Sequence, residues 1–224
     1  RRRDQATEVA LRQLHPDTDA VRRRAPRLHL AVHRLRDEIA RRTLAALVPF
    51  AKRGIAIVGL EPSCLFTFRD EALSVLPGED AKIVAKQAML FEEFIAREAA
   101  AGRLELKLKP LPQKKALLHG HCHQKAFDVM PAVQKALKLV PDLAVETVAS
   151  SCCGMAGAFG YEATHYEVSM KMAEASLLPA VRKADADTLV VADGTSCRHQ
   201  IADGTKREAW HVARVLERAL AARA

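Results

Sequence analysis

Two cysteines stand side by side in the segment Ser151-Cys152-Cys153-Gly154-Met155-Ala156-Gly157-Ala158-Phe159-Gly160, and a regular strand cannot direct both to one place. Neighbouring side chains on a strand point to opposite faces. In a turn, two adjacent thiolates can reach two different metal atoms of one cluster, and the glycines that follow permit tight turning and close backbone approach. If Gly154 opens a helix, its amides would also favour thiolate charge. The competing reading is a pair of buried small hydrophobes, since free cysteine is among the most buried residue types.

The order of the remaining cysteines favours the metal reading. Cys122 lies in His119-Gly120-His121-Cys122-His123-Gln124-Lys125, directly after the apolar run Ala116–Leu118. Cys152 and Cys153 follow the run Ala144–Val148. Cys197 lies in Asp193-Gly194-Thr195-Ser196-Cys197-Arg198-His199-Gln200, directly after Thr188–Val191. Four thiols at one edge of a sheet form a metal-site geometry. Soft thiolates beside imidazoles suit zinc or the iron of an iron–sulfur cluster, although the spacing is not that of a zinc finger. Alternate spacing places the three histidines on one face of an extended segment, where they serve equally as surface polar groups. Lys125 and Arg198 either offset thiolate charge or are ordinary surface cations.

From about Gly54 onward, short β-like runs alternate with amphipathic helical runs, the pattern of an α/β fold with parallel strands. The strands expected are Ile55–Val58, Ala116–Leu118, Ala144–Val148 and Thr188–Val191, with helical stretches near 80–100, 126–139, 164–183 and 207–222. Gly102 and Pro110-Leu111-Pro112 mark a linker, which sets a boundary near residue 112.

An internal repeat links the two parts. Ile55-Ala56-Ile57-Val58-Gly59-Leu60-Glu61-Pro62-Ser63-Cys64 matches Thr188-Leu189-Val190-Val191-Ala192-Asp193-Gly194-Thr195-Ser196-Cys197, each a β-run, a polar turn, Ser-Cys and a helical run. Cys153 precedes Cys197 by 44 positions, and the same offset from Cys64 falls in Ala20-Val21-Arg22-Arg23-Arg24, which has no cysteine. The expected fold class is therefore α/β with two related cysteine-rich units built on short parallel sheets, the first of them incomplete. Residues 36–112 would form the incomplete unit and residues 113–224 the complete one, behind a poorly ordered or atypical basic leader over residues 1–35.

Residues 1–53 carry 14 of the 35 basic and 6 of the 27 acidic residues, so the whole net charge of +8 lies there and the rest of the chain is neutral. That distribution argues against specific nucleic-acid binding, while a short basic segment can attach loosely to anionic lipid. Five cysteines, an odd number, with no visible export signal, point to reduced thiols in a cytoplasmic setting rather than to a disulfide framework. No apolar run is long enough to span a bilayer.

The arrangement Cys, Cys-Cys-Gly, Cys resembles the cysteine-rich CCG domain. That domain occurs in the B subunit of heterodisulfide reductase, in the iron–sulfur subunit of anaerobic glycerol-3-phosphate dehydrogenase, and at the C-terminal end of large FAD-linked oxidases of the D-lactate dehydrogenase type. The segments HGHCHQKAF, SSCCGMAGAFGYE and DGTSCRHQI, with GLEPSCLFTFRDE upstream, are most similar to the last group. The resemblance covers residues 36–223. It implies that Cys122, Cys152, Cys153 and Cys197 ligate an iron–sulfur cluster of the 4Fe-4S type, with Cys64 and His123 as additional candidates. The fuller family motif ends in Cys-x-x-Cys, and its first position is Gly194 here, so the ligand set is one cysteine shorter.

The resemblance further implies an electron-transfer module of an FAD-linked 2-hydroxyacid dehydrogenase, given as a C-terminal fragment or split subunit. It would be an oxidoreductase component that does not act on substrate alone. FAD would sit on a separate domain or partner subunit, a quinone or cytochrome would accept the electrons, and the setting would be the cytoplasm or the inner face of its membrane. No residue is assigned a role on substrate. The alternatives are a structural zinc–thiolate module without redox activity, and direct thiol chemistry at Cys152-Cys153.

Overall fold

The computed structural model describes residues 37–150, 152–157 and 159–221; the basic leader expected over residues 1–35 lies outside them. Two parallel sheets organise the described chain. The first pairs β1 (Ile57–Gly59) with β2 (Ala88–Leu90). The second has four strands in the order β4-β3-β5-β6, with β3 at Lys115–His119, β4 at Ala144–Thr147, β5 at Leu189–Ala192 and β6 at Ala209–Trp210, every pair parallel.

Parallel strands need crossover connections, and helices supply them. Residues 37–52 form α1. Between β1 and β2 come α2 (Pro62–Phe66), α3 (Glu71–Val75) and α4 (Glu79–Gln87), and α5 (Phe91–Ala100) follows β2. In the second sheet, α6 (Cys122–Ala126) and α7 (Met130–Leu137) join β3 to β4, α8 (Tyr166–Glu174) and α9 (Leu177–Lys183) join β4 to β5, and α10 (Thr195–Thr205) joins β5 to β6. The last helix is α11 (Val212–Ala219).

The burial of β3 and β5 explains the layering. Both are central, and their apolar runs are buried on both faces, as parallel sheets require. Ala116, Leu118, Leu189 and Val191 face one side, where they pack with Val133, Ala136 and Leu137 of α7, Val212, Val215 and Leu216 of α11, and Ile95 of α5. Leu117, Val190 and Ala192 face the other side, against Ala173, Leu177, Leu178, Val181 and Ile201 of α8, α9 and α10. Cys153, Met155 and Cys197 belong to this second core. β4, at the edge, alternates between exposed and half-buried positions.

The four strands expected from sequence lie within two residues of observed ones, whereas the helical stretches are divided. β2 interrupts the expected helix 80–100, and β6 begins the segment expected as helix 207–222. Asp128, with φ 54°, breaks the expected helix 126–139 between α6 and α7. The repeated segments share one plan: strand, helix, parallel strand, helix. Ser63-Cys64 occupies the second and third positions of α2, and Ser196-Cys197 the same positions of α10.

The two halves meet at a buried polar cluster. His211 lies against the carbonyl of Leu60, with Nε2 2.9 Å from its oxygen, and its Nδ1 accepts the Ala213 amide at 2.9 Å. Both ring nitrogens are thereby used. Asp193 accepts from Val212 N at 3.0 Å and from Gln124 Nε2 at 2.7 Å. Glu92, at 0% exposure, approaches His211 Nε2 only to 3.8 Å, and neither of its carboxyl oxygens has a hydrogen-bond partner. Burial, and then the nearby Asp193, push its carboxyl well above the ordinary value of 4.5.

A raised acid supports the fold fully below its unfolded value, and that support is lost as pH climbs through the folded value. Glu92→Gln should accordingly be more stable than the native chain at pH 8, by about 1–3 kcal/mol, with the advantage fading toward pH 4. Denaturant titration at the two pH values measures this. An equal effect at both would show that ionisation of Glu92 is not the source of the cost.

Candidate metal centre

Ligands in open α/β sheets gather beyond the carboxyl ends of the strands, and four cysteines lie there on three adjacent strands. Cys122 follows β3 and opens α6, Cys152 and Cys153 follow β4, and Cys197 follows β5 in the first turn of α10. Cys153 Sγ lies 3.3 Å from Cys197 Sγ, and the Cys152 sulfur interacts electrostatically with those of Cys122 and Cys153. All are free cysteines. Cys153 and Cys197 are buried, at 4% and 1% exposure. Cys152 is half-buried and Cys122 exposed, so the group runs from the core to the surface.

Neutral amides hold these turns together. His121 caps α6, its Nδ1 accepting the His123 amide at 3.1 Å, while Gln124 Oε1 accepts the His121 amide at 2.9 Å. Through its other end, Gln124 reaches Asp193, which ties the Cys122 turn to the Cys197 turn. Gln200 Nε2 donates to the carbonyl of Cys153 at 2.9 Å and to Ser169 Oγ at 2.9 Å. From the first half, Glu61 Oε2 accepts from Thr195 N and Thr195 Oγ1, both at 2.8 Å, at the start of α10. Burial alone would raise Glu61, but the Thr195 bonds outweigh it and hold the carboxyl below its ordinary value.

Gly154 is required where it stands. Its φ is 90°, and a Cβ there would collide with the carbonyl oxygen of Ser169. The close approach seats the Cys-Cys turn against α8, and the Gly154 amide donates to Cys152 Sγ at 3.3 Å.

Charge alternates along the sulfurs. Hydrogen bonds from the Cys122 and Cys153 thiols, helped by the Gly154 amide, draw Cys152 down into the thiolate form. A hydrogen bond from Cys153, supplemented by His119, lowers Cys197 to about 5. Cys122, beside Cys152, and Cys153, between Cys152 and Cys197, are pushed up and keep their protons. A bound cation would release both remaining protons, because metal binding replaces them at sulfur. Burial lowers Lys125, against the attraction of all four cysteines. Its ammonium donates to the carbonyl of Ser150. Arg198 spends its guanidinium on the carbonyls of Ala192 and Asp193.

The histidines divide into two groups. Ligand atoms of His121, Cys122 and His123 lie within 4.8 Å of one another, and so do those of His119, Cys153 and Cys197. His123 Nδ1 is buried without a partner, and its ring stacks on His121 at 5.1 Å. His119 is 1% exposed, with Nδ1 2.9 Å from Ser150 Oγ and Nε2 unpartnered. The sequence favours His123 among the three histidines; the position of His119 at the end of the buried strand β3 distinguishes it instead. Cys64 joins neither group among the described residues. A Cβ at Gly194 would collide with His121 Cδ2 and meet Cys197 Sγ at 3.2 Å, so the imidazole of His121 fills the space where a cysteine of the fuller motif would project. A soft donor set with an unpartnered buried nitrogen fits an iron–sulfur cluster or a thiolate-bound ion.

Residues 116–202 match the family of the cysteine-rich CCG domain, a span that includes all four clustered cysteines and excludes Cys64. The chain is 31% identical over 169 residues to the C subunit of anaerobic glycerol-3-phosphate dehydrogenase of Escherichia coli, covering 75% of this chain and 41% of that protein. It is 30% identical over 164 residues to D-2-hydroxyglutarate dehydrogenase of Escherichia coli, covering 72% of this chain and 15% of the relative. The protein of that name from Pseudomonas putida is 30% identical over 175 residues, covering 76% and 16%. The chain thus spans well under half the length of these relatives. No solved structure matches significantly.

Gly154→Ala should destabilise the protein by roughly 2–4 kcal/mol, through the strained φ and the clash with Ser169. It should also open Cys153 and Cys197 to thiol reagents. Denaturant melts and timed thiol titration check both effects, and unchanged values for the two would refute the assigned role of the turn.

Proposed function

We propose, from the match of residues 116–202 to the cysteine-rich CCG domain, that the chain is an iron–sulfur electron-transfer module whose cluster is held by Cys122, Cys152, Cys153 and Cys197. The observation that carries this reading is the gathering of these four cysteines just past the carboxyl ends of three adjacent parallel strands, with Cys153 Sγ 3.3 Å from Cys197 Sγ. A bound cluster would supply one-electron chemistry.

The remaining work belongs to the chain's own residues. Cys122 and Cys153 surrender their remaining protons on loading. The second core covers Cys153 and Cys197 and excludes water from that side. Lys125, in the field of all four sulfurs, offsets part of the negative charge. Cys122, exposed, marks the side from which electrons enter or leave.

The relatives supply the context. We assign the electron donor as an FAD-binding dehydrogenase domain or subunit that oxidises a 2-hydroxy acid or a related alcohol such as glycerol 3-phosphate. The acceptor is a quinone or cytochrome, in the cytoplasm or at the inner face of its membrane. No helix among the described residues is long and apolar enough to cross a membrane. Residues 36–112 would be an incomplete counterpart of the unit formed by residues 113–224, with Cys64 standing where Cys197 stands in the second.

A specific observation also favours a second reading. His119, Cys153 and Cys197 group tightly enough to bind one ion, and with a further cysteine they would make a closed structural zinc site. Anaerobic reconstitution followed by iron, sulfide and zinc analysis separates the two. The expected result is a brown protein whose visible absorbance bleaches on reduction, and a colourless protein with stoichiometric zinc would favour the second reading. Cys153→Ser should lose most of the iron and melt at lower temperature, whereas Cys64→Ser should keep both. Retention of full iron content by Cys153→Ser would overturn the ligand assignment.

A further inference from the structure

Resting on the metal-centre reading above, we propose that His119 is a nitrogen ligand of the centre, its Nε2 bound beside Cys153 and Cys197, so that the donor set is mixed cysteine and histidine. The three ligand atoms lie within 4.8 Å of one another, a span that donors of a single tetrahedral ion, about 3.3–3.8 Å apart, can adopt with small side-chain adjustments.

Three features of His119 point the same way. It is the last residue of β3, the central strand, whose carboxyl end opens onto the site. It is 1% exposed, its Nε2 has no hydrogen-bond partner, and a ring nitrogen lies within 4.8 Å of the Cys153 and Cys197 sulfurs. Buried polar atoms are nearly always satisfied, and an exception calls for an occupant.

The other side of the ring is built as the support of a ligating histidine usually is. Nδ1 sits 2.9 Å from Ser150 Oγ, and Lys125 donates to the carbonyl of the same serine. With Nδ1 as the protonated nitrogen, the Nε2 lone pair is directed at the centre and the ring cannot rotate away without breaking the Ser150 contact. His121 is differently placed. Its Nδ1 accepts the His123 amide, and its Nε2 lies 3.3 Å from Ser63 Oγ. His123 has an unpartnered Nδ1, but it groups with His121 and Cys122 at the exposed end.

A neutral imidazole in place of a thiolate leaves less negative charge on the centre and raises its reduction potential, as in clusters where histidine replaces cysteine. His119 would thus compensate for the shortened cysteine set.

The test is X-ray absorption at the K-edge of whichever metal the purified, reconstituted protein carries, together with pulsed EPR on protein grown with 15N-labelled histidine. The expected result is one imidazole shell at about 2.0 Å beside sulfur at about 2.3 Å. A nitrogen coupling should accompany it, change with the label, survive His123→Gln and vanish in His119→Gln. His119→Cys should retain the metal, give an all-sulfur shell and lower the potential.

A loaded native protein with only sulfur ligands overturns the inference and leaves the iron–sulfur reading standing. So does a nitrogen signal that persists in His119→Gln. An imidazole shell on zinc, with no sulfide present, sustains His119 as ligand and overturns the iron–sulfur reading. Failure to bind any metal overturns both. The native-protein spectra stand even if a variant does not fold.

Discussion

Four cysteines gathered at one edge of a sheet, two of them with sulfurs 3.3 Å apart, resist losing all their protons unless a cation joins them, and that electrostatic constraint organises the second half of the molecule. Like charges a few ångströms apart disfavour one another, more so when half-buried. The alternation along the chain, with Cys152 and Cys197 acidified while Cys122 and Cys153 hold protons, is how four thiols share two charges on their own. Coordination is the other resolution. The residues that fix the turns are suited to either state. Gln124 and Gln200 are buried and bridge separate loops, yet they add no charge to a site already crowded with it. A carboxylate in either position would add to the repulsion, and an alkyl side chain would leave the joined backbone groups and Asp193 without partners.

The first half, which contributes one exposed cysteine, matters to the centre mainly as a buttress. Glu61 fastens the start of the helix that carries Cys197, Ser63 reaches toward His121, and the carbonyl of Leu60 seats His211. These contacts come from the turn after β1 and the start of α2, and they meet the turns after β5, β3 and β6 respectively. Where Asp193 accepts the Val212 amide within the second half, Leu60 at the matching position offers only its backbone. The two matched segments differ in chemistry while sharing the geometry of strand, Ser-Cys helix and parallel strand. α5, which closes the first copy, packs into the core of the second through Ile95.

What the sequence disclosed follows from how each feature is encoded. β3 and β5 were legible because strands buried on both faces read as unbroken apolar runs, and the cysteines were legible because each follows such a run. β2 and β6, three and two residues long, were hidden inside segments whose wider composition is helical; their strand state comes from pairing with β1 and β5 rather than from local preference. Glu92 was invisible, since an acid in the first turn of a helix is ordinary and only tertiary packing buries this one. Of the histidines in His119-Gly120-His121-Cys122-His123, the sequence put forward His123 and gave no signal for His119. The strand ends at His119, so it alone takes the depth of the sheet, while His121 becomes a cap and His123 enters a helix turn.

In the proposed redox centre, depth would also separate what sets its properties from what gives access to it. The buried end, with Cys153, Cys197 and His119 packed against α8 and α10, is the low-dielectric side, where each hydrogen bond and each charge acts most strongly on the centre. The exposed end, with Cys122 and half-buried Cys152, is screened by water and offers the short approach that electron exchange with a docked partner needs. Lys125 lies between them, half-buried and anchored on Ser150, where its charge is neither fully screened nor stranded without a partner. A substitution at the deep end should therefore alter the potential of the centre more than its access. One at the surface end should do the reverse, because the same change in charge acts through very different dielectric surroundings at the two ends.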